Sequence, residues 1–248
     1  MIGTEQVARS PNDGYTLLVA AAAITILPAI NPNVKFDILR DFAPVSQLVS
    51  SPSVLVAPAS LPYKTLKDFI AAVKAKPGAY NFGSAGVGTQ PHMAFELFRA
   101  MAGLDMQHIP YKGIAPALNA VIAGQVAASI INPLTAKPQV DAGKVLGLGI
   151  SSAKRSPIMP DLPAIAEAVP GYEAIQWFGL FAPAGTPAPI VAKLHKEIAA
   201  ALKSPEMQKR IAADGATAVG NAPAEFSAQI KSELEKWAKV AEMAKLKK

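Results

Sequence analysis

The segment Asn81-Phe82-Gly83-Ser84-Ala85-Gly86-Val87-Gly88-Thr89-Gln90-Pro91-His92 holds the densest set of residues able to do chemistry. A strand-like start runs into a loop with three glycines, and a helical pattern follows. Glycine lets a backbone come close to a ligand, and the first N–H groups of a helix have no intrahelical acceptor. Such a helix start suits an anion, a carboxylate as well as a phosphate. Ser84 and Thr89 add hydroxyl donors, Ala85, Gly86 and Gly88 offer backbone, and His92 follows in the first turn. A tight glycine turn with no ligand is the competing account of the same residues.

Three other chemistries fail on residue identity. A phosphate-binding loop of the GxxxxGK[ST] type needs Lys after its last glycine, and Gly88 is followed by Thr89-Gln90. A dinucleotide fingerprint starting at Gly86 needs a small residue where Pro91 stands. A nucleophile elbow around Ser84 needs glycine where Phe82 stands. The three histidines, His92, His108 and His195, are scattered, and only His92 lies beside the glycine loop. There is no cysteine, which excludes thiolate zinc sites, disulfides and cysteine nucleophiles. No metal-ligand cluster and no acid–base pair is visible, so no catalytic residue, metal or cofactor is expected. A hydrolase or transferase using Ser84 and His92 stands as the alternative to a binding protein. The net charge of +6 is spread among acids, as in Glu233-Leu234-Glu235-Lys236, which reads as solvated helix faces rather than a nucleic-acid surface.

The elements that must position these residues alternate along the chain. Tyr15–Ala20, Ser53–Ala57, Tyr80–Ser84, Val126–Ile131, Val145–Ile150 and Ile175–Ala182 are continuous apolar runs that read as buried parallel strands. Leu66, Phe69, Ile70 and Val73 share a helical face, as do Ala94, Leu97, Phe98 and Met101 before Gly103, and Leu118, Val121 and Ile122 before Gly124. Alternation of this kind predicts α/β architecture, parallel-rich sheets flanked by helices. Asn132-Pro133 ends one apolar strand, where open α/β sheets place ligand contacts. Tyr111-Lys112-Gly113 forms a second strand-to-helix turn, read chiefly as a connection.

The last third carries two long stripes, Ile190-Leu194-Ile198-Leu202 and Phe226-Ile230-Leu234-Trp237-Ala241, the second opened by Pro223, with only Ala216–Val219 between them as a strand. They need an earlier sheet to pack on. That predicts two lobes and two crossings, near Ser50–Ala57 and near Gln176–Pro183, with lobe I at 1–54 and 178–248 and lobe II at 55–177. Trp177-Phe178 falls in the second crossing, as core or as a wall for a ligand. Leu17–Ile30 is the most apolar run; it is too short for a bilayer and is broken by Pro28, so no targeting or spanning segment is expected.

Several segments in order resemble the Bug family, the solute-binding proteins of tripartite tricarboxylate transporters. They are Pro11-Asn12-Asp13-Gly14-Tyr15-Thr16-Leu17-Leu18, Asp41-Phe42-Ala43-Pro44-Val45, Asn81 to Gly86 with Gly88-Thr89 and His92, and Pro110-Tyr111-Lys112-Gly113. Ala153-Lys154-Arg155-Ser156-Pro157, Pro170-Gly171-Tyr172-Glu173 and Trp177 through Pro187 continue the series to cover essentially the whole chain. The resemblance implies a two-lobed periplasmic-binding-protein fold of type II, a periplasmic location, and a small organic acid delivered to membrane permease subunits. It implies one carboxylate grip at Ser84 to Thr89. A second grip, in a Pro-Gly-Gly-Gly-Thr-Asp-like loop, would precede Met1, as would the family's first strand, first helix and signal peptide. A chain without them is expected to bind weakly, or to be a non-binding relic. Where the family usually has Ser, Thr or His after the Tyr15 strand, this sequence has Ala21-Ala22-Ala23, which makes Ala22 and Ala23 expected contacts for an apolar ligand body.

Overall fold

A computed structural model describes residues 2–246, which divide into two compact units, 2–50 with 176–246, and Ser51–Ile175. The first unit opens with α1 (Ile2–Ala8), β1 (Leu18–Ala21), α2 (Ala23–Ile30) and β2 (Phe42–Pro52). The second contains β3 (Val54–Pro58), α3 (Leu66–Ala75), β4 (Tyr80–Ser84), α4 (Gln90–Ala102), β5 (Met106–Pro110), α5 (Ile114–Ile122), β6 (Ala128–Ile131), α6 (Pro133–Asp141) and β7 (Val145–Ile150). The chain then completes the first unit with β8 (Ile175–Pro183), α7 (Ala188–Leu202), α8 (Pro205–Ala213), β9 (Thr217–Ala218) and α9 (Pro223–Met243).

In the second unit the sheet order is β5-β4-β6-β3-β7. β4 pairs parallel with β5 and with β6, while β3 runs antiparallel to both β6 and β7. Four strands therefore share one direction and β3 is reversed among them. β3 enters without a helical crossover, directly after β2, so nothing forces it to run with the others. The sheet is covered on both faces. Val54, Val56 and Ile131 meet Leu118 and Val121 of α5 and Ala136 of α6 on one side. Phe69 of α3 and Phe95 and Phe98 of α4 build an aromatic layer with Phe82 and Tyr172 on the other. Gly103 ends α4 in the left-handed region at φ 63°, as its place after the apolar stripe predicts.

In the first unit the order is β1-β8-β2-β9. Alternation along β8 sorts the core: Trp177 and Phe181 join Phe36, Phe42, Phe226 and Ile230, while Leu180 and Ala182 face Val191, Leu194 and Ile198 of α7. Three expectations fail here. The Tyr15 run was expected to give a buried parallel strand; it shortens to β1, a half-exposed edge strand antiparallel to β8, with Leu18 opposite Phe181. Edge position leaves one side of β1 without a ladder partner, so an apolar composition does not translate into burial. The run Ile175–Ala182 is likewise antiparallel to that neighbour. A helix, α8, also occupies part of the interval expected to hold only a strand. Both sheets are thus mixed and flanked by helices.

Candidate functional site

Parallel pairing puts the ends of β4, β5 and β6 on one edge of the second unit's sheet. β4 leads through α4 to β5 on one side, and β6 leads through α6 to β7 on the other. Adjacent strands whose connections depart in opposite directions leave a crevice at their carboxyl ends, and this is where open α/β sheets bind ligands. The Ser84–Thr89 loop follows β4 and Asn132 follows β6, so these two expected site segments flank that switch point. The starts of α4, α5 and α6 lie on the same edge, three positive dipole ends facing one side.

The loop is a tight backbone device. Thr89 N–H donates to Gly86 O at 3.3 Å, closing a four-residue turn. Gly88 takes φ +77° at the third position, where a type II turn needs a positive φ. Gly86 sits at φ +127°, and a Cβ there would lie 3.5 Å from Tyr111 O, so the loop after β4 rests on the turn after β5. Thr89 Oγ1 donates to Gly86 O at 2.7 Å and makes no cap bond to α4. The first-turn N–H groups of α4 are thus not consumed by a side-chain cap. Asn132 differs: exposed, it caps α6 by accepting from Thr135 N–H at 2.9 Å.

Beneath the loop lies a buried support that joins the expected Ser84 and His92 to an unexpected partner. Ser84 Oγ is fully buried, 2.7 Å from His108 Nε2, and accepts from Gly86 N–H at 3.1 Å. His92, fully buried, accepts the Gly88 N–H on Nδ1 at 3.1 Å, which puts its proton on Nε2, 3.6 Å from Glu96 Oε1. The two imidazoles stack at 3.8 Å, and His108 stacks on Phe82 at 4.9 Å. Burial, with His92 alongside, pushes the His108 pKa down to about 4, so the ring that shares a hydrogen bond with Ser84 Oγ is neutral. Glu96 is held below the usual carboxylate range: burial opposes this, but His92 and a two-nitrogen contact from Arg99 at 2.7–2.9 Å outweigh it. The expected Ser84–His92 couple of a hydrolase is not formed. Ser84 pairs with His108 instead, because β4 and β5 are in register at Phe82 and His108.

The residues expected on the first unit divide by exposure. Phe178 is 44% exposed and Ala23 is partly so, whereas Ala22 and Trp177 have essentially no free surface. Trp177 packs edge-on against Phe226 at 5.3 Å and donates its indole N–H to both oxygens of Glu233 at 3.0 Å. Ala22 N–H donates to Trp177 O at 2.9 Å, so both residues brace the start of α2.

A family model described as the tripartite tricarboxylate transporter family receptor matches residues 1–246. The chain belongs to this receptor family. Among solved structures it is similar to an R. palustris protein, Rpa4515, with adipate, at 35% identity and a TM-score of 0.82, over 98% of this chain and 82% of that one. It is similar to the periplasmic binding protein BugD at 32% identity and a TM-score of 0.79, over 99% and 83% of the two chains. It is also similar to MatC from Rhodopseudomonas palustris with bound malate, at 32% identity and a TM-score of 0.77, over 96% and 83%.

The transporter-receptor family accounts for the two mixed α/β units, and it makes the chain a solute-binding receptor rather than an enzyme. The Ser84–His108 contact inside it belongs to scaffolding: a nucleophile needs access, and Ser84 has none. Among the described residues no group of three His, Asp or Glu could hold a metal ion. Sequence reasoning missed His108, Glu96 and Glu233. The first carried a weak signal, since a histidine two residues before the β5-end proline pairs across to the glycine strand. Glu96 stood four residues after His92 on one helical face, a spacing that could have flagged it.

Proposed function

We propose that this receptor captures a small organic acid by its carboxylate at the switch-point edge of the second unit, on the Ala85 backbone and the first turn of α4, with Thr89 and Asn132 beside it; Gly86 and Gly88 shape the turn, their own N–H groups bonding inward to Ser84 and His92. Ser84 and His92 act from beneath by fixing the loop. On the first unit taken by itself, Ala23 and Phe178, braced by Ala22 and Trp177, form an apolar surface that this reading assigns to ligand contact. The receptor works in the periplasm and passes the acid to the membrane permease subunits of a tripartite transporter. The observation that carries this reading is the convergence of a type II glycine turn and three helix starts on one sheet edge, in a chain whose family is that of transporter receptors. Backbone N–H groups and helix dipoles recognise a carboxylate without a resident cation.

The test is a thermal-shift and calorimetric screen against adipate, malate, citrate, hexanoate and benzoate. At least one acid is expected to bind, with its affinity reduced tenfold or more in Gly88→Val. Wild-type affinity in that variant, or no binding by any acid, refutes the assignment.

A further inference from the structure

A closed ring of buried polar groups ties three elements of the first unit together. Glu233 of α9 is 7% exposed, and Thr25 of α2 and Trp177 of β8 are fully buried. The carboxyl group of Glu233 accepts from the Trp177 indole N–H at 3.0 Å and lies 3.0 Å from Thr25 Oγ1. Thr25 Oγ1 is 2.7 Å from Ala22 O, and Ala22 N–H donates to Trp177 O at 2.9 Å, which closes the ring. Ala22 is the cap position immediately before α2, and no side chain caps that helix.

Both donors that reach Glu233 are neutral. A buried polar network of this kind is a poor device for stability: replacing both partners of a buried hydrogen bond with apolar groups of the same shape can be nearly neutral or stabilising. What the ring does is fix geometry. It sets where α2 starts relative to β8, and so sets Ala23 against Phe178, the two residues of this set with free surface. Ala21 lies directly opposite Phe178 in the β1–β8 register, so a shift of α2 moves one lining residue against the other. We infer that Glu233, far along the sequence from every ligand contact, is a positioning residue that holds the apolar contact surface of Ala23 and Phe178 in its binding geometry through Thr25 and Trp177. The inference rests on the reading of that surface as ligand-facing.

Four variants separate the two ideas, each measured for melting temperature and for Kd towards the tightest-binding acid of the panel of adipate, malate, citrate, hexanoate and benzoate. The triple variant Glu233→Met, Thr25→Val, Trp177→Phe is expected to melt within a few degrees of wild type yet to bind tenfold or more weakly. Glu233→Gln is expected to bind like wild type, because its amide can accept from Trp177 and donate to Thr25. Thr25→Val, which breaks one link of the ring at near-constant shape, is expected to weaken binding several-fold and keeps the test alive if the triple variant does not fold. Phe178→Ser probes the surface itself. Unchanged Kd in Phe178→Ser overturns the ligand-facing reading, as does a wild type that binds none of the acids. Weakened binding in Phe178→Ser together with unchanged Kd in Thr25→Val and the folded triple variant overturns the positioning role alone.

Discussion

His108 is where a single side chain makes the receptor sensitive to pH. Its pKa is lowered from 6.5 to about 4 by burial and by its histidine neighbour. Above pH 6.5 neither the folded nor the unfolded chain protonates it. Between pH 6.5 and 4 the unfolded chain takes up a proton that the folded chain refuses, so stability falls as pH falls through that window. The ring keeps partial contact with solvent, so the slope stays below the single-proton limit of about 1.4 kcal/mol per pH unit. The melting temperature is therefore expected to drop from pH 7 to pH 4, and His108→Gln is expected to flatten the profile. An unchanged profile in that variant excludes His108 as its source. Gly86 makes a second claim at this scale. At φ +127° it occupies a region that a side chain rarely adopts, and Gly86→Ala is expected to cost about 1–3 kcal/mol and to weaken acid binding, checked by urea melts and calorimetry.

Elements were legible where a local rule governs them and illegible where a distant one does. The apolar stripe of α4 and the glycine after it mark both helix and stop, since one face must be buried and the end needs a left-handed residue. α8 buries no residue and so leaves no stripe; its trace in the sequence was only Ser204-Pro205, a capping serine before a first-turn proline. The direction of β1 was hidden because an apolar run favours a strand and says nothing about which neighbour it will meet. For the same reason Ser84 could be marked as a loop residue but not as the partner of His108. Close packing between elements yields a prediction of its own. Gly179 of β8 lies so near the Phe226 ring of α9 that a Cβ there falls inside van der Waals distance. Gly179→Ala is expected to destabilise by about 1–3 kcal/mol through overpacking, read as a lower urea midpoint with an unchanged slope.

At the scale of the whole molecule the two units differ in how the chain makes them. The first is assembled from two stretches separated by more than a hundred residues of the second. The second is one uninterrupted stretch, Ser51–Ile175, and every strand of its sheet comes from within it. Its aromatic layer and its aliphatic layer are both internal to that stretch, and its length is that of an ordinary domain. The isolated 51–175 chain is therefore expected to fold cooperatively and to retain the pH dependence carried by His108. It keeps the switch-point edge and the glycine turn but lacks Ala23 and Phe178. An acid at a hundred times its Kd stabilises the full receptor by about 2.7 kcal/mol through mass action. The same acid concentration is expected to raise the melting temperature of the 51–175 chain far less, because the first-unit residues assigned to ligand contact are gone. Equal shifts in the two proteins place the whole recognition on the second unit and remove Ala23 and Phe178 from it. A 51–175 chain with no cooperative transition shows instead that this unit depends on the first for its folding.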